Sequence, residues 1–139
     1  MYRIGLPIFT ALVFLMTSCG SNPGNGSTSA TVPAAASGEA VYKKTCVTCH
    51  QANGEGLPNT FPPLAKSDYL SDKEKAILQV LKGSAGEIVV NGKTFNSVMP
   101  PQQLSDEEIA SVLTYVYGNF GNSGGTITPA EVKGIRAKL

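Results

Sequence analysis

Tryptophan is absent from these 139 residues, histidine occurs once, and cysteine and methionine occur three times each. Any metal or cofactor site must therefore be assembled from a very short set of side chains. Charge is scarce as well. Asp, Glu, Lys and Arg make up 15% of the chain, and the formal net charge is +1. A basic nucleic-acid binder needs clustered Lys and Arg, so that class is excluded. No apolar run is long enough to span a bilayer: residues 4–16, interrupted by Gly5, Pro7 and Thr10, form the main one. As a helix it would reach about 20 Å against roughly 30 Å of hydrocarbon, which suits the core of an export signal. No internal repeat is visible. What is plentiful is glycine (15) and proline (9), the composition of linkers and long loops.

The apolar run leads into Leu15-Met16-Thr17-Ser18-Cys19-Gly20. Two small residues followed by a cysteine resemble the lipobox of bacterial lipoproteins. That resemblance implies removal of residues 1–18, acylation of Cys19 and export to the cell envelope. The mature chain would be lipid-anchored, facing the periplasm or the outer surface. Several acyl chains, at about 0.8 kcal/mol per buried CH₂, anchor a protein stably. An ordinary cleaved signal with an incidental free Cys19 is the alternative. Processing would leave Met99 as the one methionine and His50 as the one histidine.

Residues 19–37 form the expected tether, with Gly, Ser, Asn, Thr, Ala and Pro around a single Val32. Such a segment buries too little to order itself, and its reach is on the order of 23 Å. A folded unit is expected over residues 38–121, followed by an extension over 122–139 that carries a short helix. Val41, Tyr42, Thr45 and Cys46 have the spacing of one helix face, within a helix expected over residues 39–49. Ser71-Asp72-Lys73-Glu74 has capping-box spacing and opens a second helix, with Ile77, Val80 and Leu81 inward and Gly83 closing it. Asn91-Gly92 between short β-rich runs predicts a hairpin over residues 88–95. Ser105 to Glu108 opens a third helix with Ile109, Val112, Leu113, Val116 and Tyr117 on one stripe. Thr128-Pro129 starts the terminal one. So small a set of helices, joined by so much loop, needs something else to fill its middle.

Cys46-Val47-Thr48-Cys49-His50 supplies a candidate. Two thiols three residues apart lie on one side of a helical turn, where both reach the two vinyl groups of one haem. His50 then follows as an iron ligand through Nε2. Three other readings compete. A structural zinc site wants four ligands, and no second cysteine pair is present. A thioredoxin-like pair wants a βαβ context. A plain disulfide is compatible with an oxidising compartment. For a sixth ligand the mature chain offers Met99, or else a lysine, a terminal amine or water. Met99 precedes Pro100-Pro101, which stiffen its loop. A lone methionine otherwise serves as core filler. Ligation by His and Met raises the potential and fills the coordination sphere, favouring electron transfer over catalysis.

Residues 38–117 resemble a class I c-type cytochrome. Gly38, Tyr42, Cys46, Cys49 and His50 stand as in the family's opening helix. Phe61-Pro62-Pro63-Leu64 resembles its haem-edge loop, Val98-Met99-Pro100 its distal-ligand loop, and residues 112–115 its closing helix. The resemblance implies an all-α fold, three main helices around one covalent haem c, with a short hairpin before the Met loop. It implies a close helix contact at Gly38, Tyr42 packed on Val112 and Tyr115, and a carbonyl of Pro62 or Pro63 accepting from His50 Nδ1. The Asn-Gly hairpin is closer to the cytochrome domains tethered to haem–copper oxidases and copper nitrite reductases than to the mitochondrial carrier, whose Lys-rich face is missing here.

The expected function is a membrane-tethered carrier moving single electrons between a redox donor and acceptor of a respiratory chain, and not an enzyme. A dedicated subunit of an oxidase or nitrite reductase complex is one alternative; a haem peroxidase or ligand sensor is another. The scattered lysines 43, 44, 66, 73, 75 and 93 read as a solvated face sooner than a docking patch. Asp106-Glu107-Glu108 suits a helix's first turn better than a metal. Asn53-Gly54-Glu55-Gly56 lacks the context of a phosphate loop. Asn96 is either a turn residue or one that orients the Met99 sulfur. Residues 121–139 are either a strap over the domain or a partner contact.

Overall fold

The computed structural model describes residues 36–139. Among the described residues there are five α-helices: α1 (Gly38–Thr45), α2 (Val47–His50), α3 (Lys73–Lys82), α4 (Asp106–Asn119) and α5 (Pro129–Arg136). Two short strands, β1 (Ile88–Val90) and β2 (Lys93–Phe95), pair antiparallel with Ile88 opposite Phe95. The expected export signal, Cys19 and the tether up to residue 35 lie outside the described residues. Ser37, expected as the end of the tether, instead caps α1 by accepting from the Ala40 N–H at 3.3 Å. The Ala36 carbonyl is also tied down, by the Ser111 hydroxyl at 3.2 Å.

Most local signals work as their chemistry requires. Ser105 and Glu108 form a reciprocal capping box on α4, and Thr128 and Glu131 do the same on α5, with Pro129 at its start. Asn91 and Gly92 carry φ of 50° and 73°, as a type I′ turn demands. Two expectations need correction. The first helix is interrupted at Cys46, which separates α1 from α2. Thr45, Val47 and Thr48 are β-branched, so their restricted χ1 weakens the helix there, although the Cys46 N–H still reaches the Tyr42 carbonyl at 2.9 Å. The cap of α3 is Asp72, which accepts from the Lys75 N–H at 3.1 Å, and not Ser71. Ser71 closes a 3₁₀ turn (Asp68–Ser71), its hydroxyl donating to the Asp68 carbonyl at 2.7 Å.

The core lies where α1, α3 and α5 meet α4. Ile109 and Val132 are fully buried, and each such side chain contributes about 2 kcal/mol. The N-terminus of α1 sits directly on α4: a Cβ at Gly38 would collide with the Ser111 carbonyl oxygen. Close by, Tyr42 meets Tyr115 at a centroid distance of 5.6 Å and Phe120 at 5.1 Å. Phe120, absent from the sequence reading, completes this aromatic triangle. Residues 122–139 are a strap. Ile127, Val132 and Ile135 join the main core, and Arg136 bonds Asp106 at 2.7 Å and the Leu104 carbonyl at 2.9 Å. Among the described residues, no helix is long and apolar enough to cross a membrane.

Candidate functional site

A largely apolar cleft opens among the described residues. It is walled by α2, by the loop around Pro62, by α3, by the hairpin and the segment after it, and by α4. Leu64, Val80 and Leu104 are only partly buried, although they pack against the core. The cleft is lined mainly by apolar side chains with a few polar groups among them, the make-up of a site for a largely apolar group.

The cleft brings together Cys46, Cys49, His50, Pro62 and Met99. Cys46 and Cys49 are free thiols, as the disulfide reading would not have them. Burial, and then the neighbouring Cys49, push the Cys46 thiol up to about 11. A structural zinc site needs four converging ligands. Among the described residues, no three His, Cys, Asp or Glu side chains converge to hold a metal ion.

His50 is buried, with Nδ1 3.0 Å from the Pro62 carbonyl oxygen. A carbonyl can only accept, so Nδ1 carries the proton and Nε2 keeps its lone pair. Burial lowers the imidazole's pKa, opposed by the bond to Pro62. Burial, the larger influence, favours the neutral ring, and the bond to Pro62 fixes its tautomer, as metal ligation requires. Next to it, Gln51 takes φ of 64°, and its carbonyl accepts from the Tyr42 hydroxyl at 2.6 Å. Burial first, then Cys46 and Tyr115, drive that phenol well above its ordinary value. It thus stays protonated and donating.

Met99 is held by its backbone. Its N–H and carbonyl bond to Ser84, at 2.9 and 2.8 Å, just past the end of α3. Gly83 makes this possible: its φ is 69°, and a Cβ there would strike the Met99 carbonyl oxygen. The Met99 sulfur lies 3.7 Å from Gln79 Nε2. Asn96 is exposed on the surface, so the residue near the sulfur is Gln79. Nothing in the sequence marked Gln79, because a polar residue on an amphipathic helix carries no signature of its partner. Asn122 was equally silent. Its side chain accepts from the Ser67 N–H at 2.9 Å and donates to the carbonyls of Leu64 at 2.8 Å and of Val116 at 3.2 Å, pinning a loop of the cleft to α4.

These residues fit a covalently attached haem. Free thiols, an imidazole with an available Nε2 and a thioether border one apolar space of the chain's own making. The comparisons with known proteins agree. Residues 35–118 match the family model described as cytochrome c. Over 116 residues the chain is 40% identical to cytochrome c-552 of Thermus thermophilus, covering 76% of this chain and 78% of that protein. It is 27% identical over 125 residues to the fructose dehydrogenase cytochrome subunit of Gluconobacter japonicus, covering 84% of this chain but 25% of the relative. It is also 29% identical over 103 residues to the cytochrome c subunit of a quinone alcohol dehydrogenase of Gluconacetobacter polyoxogenes, covering 71% of this chain and 22% of the relative.

Proposed function

Because the chain belongs to the cytochrome c family, we propose that it is a single-haem electron carrier, tethered by lipid on Cys19, that passes electrons between redox proteins of the cell envelope. The family implies covalent haem c, which takes up and gives back one electron at its iron. Cys46 and Cys49 hold the porphyrin, His50 and Met99 the iron, and Pro62 orients His50. One observation carries this reading: all five line a single, largely apolar cleft. Held by both His50 and Met99, the iron would keep no position for a substrate, which favours electron transfer over catalysis.

The tether reading rests on Leu15 to Cys19 and on the charge-free, Gly- and Ser-rich stretch that follows. A reach on the order of 23 Å would let the domain turn its haem edge toward two partners in succession. Removal of residues 1–18 takes Arg3 and leaves ten basic against ten acidic side chains, so docking relies on local surface and not on long-range steering.

Expression with haem-attachment machinery tests the core of the proposal. The expected product is a coloured protein whose haem stays on the chain under denaturing conditions. Its ferric form should show the weak red-edge band of thioether-to-iron ligation, and Met99→Ala should abolish that band. A folded, colourless product refutes the haem reading. Cys19→Ala should release a soluble protein of unchanged spectrum; firm membrane retention refutes the lipid anchor.

A second reading, a dedicated cytochrome subunit of a respiratory enzyme complex, is favoured by the dehydrogenase subunits among the relatives. Stable co-purification with one membrane enzyme would decide for it.

A further inference from the structure

Between the two backbone bonds that join Ser84 to Met99, residues 85–98 leave the body of the molecule and return to it. Loops whose ends meet in this way are compact units of their own. The β1–β2 hairpin forms the centre of this one, and Ile88, Val90 and Phe95 line the cleft. Val90 and Phe95 are buried, yet they stand outside the cluster of side chains that makes the main core. Among the described elements, the hairpin packs against the 3₁₀ turn (Asp68–Ser71) and no helix. Its fastening there comes from one residue at the tip. Asn91 accepts from the Asp68 N–H through Oδ1 at 2.9 Å and donates to the Lys66 carbonyl through Nδ2 at 3.1 Å. Its backbone N–H donates to Asp68 Oδ1 at 2.7 Å. The receiving segment is anchored in turn. The Lys66 N–H reaches the Phe120 carbonyl at 2.9 Å and the Ser67 N–H reaches Asn122 Oδ1 at 2.9 Å, both just past the last turn of α4. Glycine or aspartate would serve a type I′ turn as well as asparagine does, but only the carboxamide offers an acceptor and a donor at once.

We propose that residues 85–98 are a flap that closes the cleft and that Asn91 is its latch, a positioning residue that keeps Met99 seated. The consequence for Met99 rests on the proposed ligation; the latch itself does not. Only residues 96–98 separate the hairpin from Met99, so a flap that swings outward pulls on the bonds between Met99 and Ser84. With the flap open, water and small ligands enter the cleft. A two-stranded hairpin is marginal in water by itself, and this one borrows nothing from the main core. Three hydrogen bonds at its tip, each worth about fivefold in the closing equilibrium, therefore set how often it opens.

Hydrogen exchange on the haem-loaded protein tests the latch. Asn91→Gly keeps the positive φ of the turn and loses both side-chain bonds. Exchange over residues 86–97 should quicken about twentyfold, with α4 and α5 unchanged. Asp68→Ala alters the catch and leaves the hairpin sequence intact; it should quicken exchange about fivefold. Asp68→Asn retains the acceptor oxygen and should exchange at the wild-type rate. Added imidazole reads the effect on Met99. Its binding to the ferric iron should speed up by the same factors in the first two variants and stay unmoved in the third. Unchanged exchange in Asn91→Gly and Asp68→Ala overturns the latch, and so does equal quickening in α4 and α5, which is plain destabilisation. Faster exchange with an unmoved imidazole rate overturns the link to Met99. If the wild-type protein lacks the red-edge ferric band, ligation by Met99 falls, and exchange alone still upholds or overturns the latch.

Discussion

Along α4, Ile109 and Tyr117 are closed over by the chain's own side chains, whereas Val112, Leu113 and Val116 line the cleft. On the first side the strap from Ile127 to Ile135 completes a conventional core, with Val132 fully buried and the Tyr117 hydroxyl donating to the Leu70 carbonyl at 2.9 Å. On the second side buried residues of α3, the hairpin and α4 share the wall of the cleft with partly buried ones such as Leu64, Val80 and Leu104. One helix thus serves two kinds of interior. The first depends on close packing between side chains; the second depends on a group that the chain must acquire.

The largest test of this contrast is to remove the attachment points. Cys46→Ala combined with Cys49→Ala should leave no haem on the chain under denaturing conditions. Hydrogen exchange should then show the cleft loops losing protection first, with α4 and α5 the last to open. Uniform loss across both sides would break the comparison. Next in size is Gly38→Val, which drives a side chain into the Ser111 carbonyl and Tyr115. It should cost about 3 kcal/mol in denaturant titration, because overpacking at a helix crossing has no flexible neighbour to yield.

Val132→Ala probes the self-packed side alone. A cavity at this fully buried site should cost about 2 kcal/mol and lower the melting temperature by several degrees, with the haem spectrum unchanged. A spectral change would mean that the two sides are mechanically one. The smallest effect concerns acid. Donation from the Thr128 side chain, and then its backbone, holds Glu131 below the ordinary carboxylate value of 4.5. A group whose pKa is depressed on folding stabilises above its unfolded value, and loses that contribution as pH falls through the folded one. Exchange protection in α5 should therefore decline slightly below about pH 4.5, and Glu131→Gln should flatten that dependence.

Legibility in the sequence followed the same division. Signals that act over three or four residues could be read directly. Ser105 with Glu108, Thr128 with Pro129 and Glu131, Asn91-Gly92 and Cys46 to His50 each state their own local geometry. Features that depend on a distant partner were invisible or misplaced. Ser71 and Asp72 both look like caps, and only the 3₁₀ turn that engages Ser71 leaves the role to Asp72. Phe120 gains meaning only beside Tyr42 and Tyr115, and Asn122 only beside Leu64 and Ser67. The extension over residues 122–139 read as a strap or a partner contact; its packing on α3 and α4 makes it a strap.

By itself, then, the sequence determined the local elements, the haem-attachment motif and the short set of available ligands, because each is written in neighbouring residues or in composition. Tertiary structure alone decided that Pro62 and not Pro63 accepts the hydrogen bond from His50 Nδ1, that Gln79 and not Asn96 meets Met99, and that the C-terminal helix belongs to the core. Those choices bring together residues 12, 20 or more positions apart, and no local rule of spacing reaches that far.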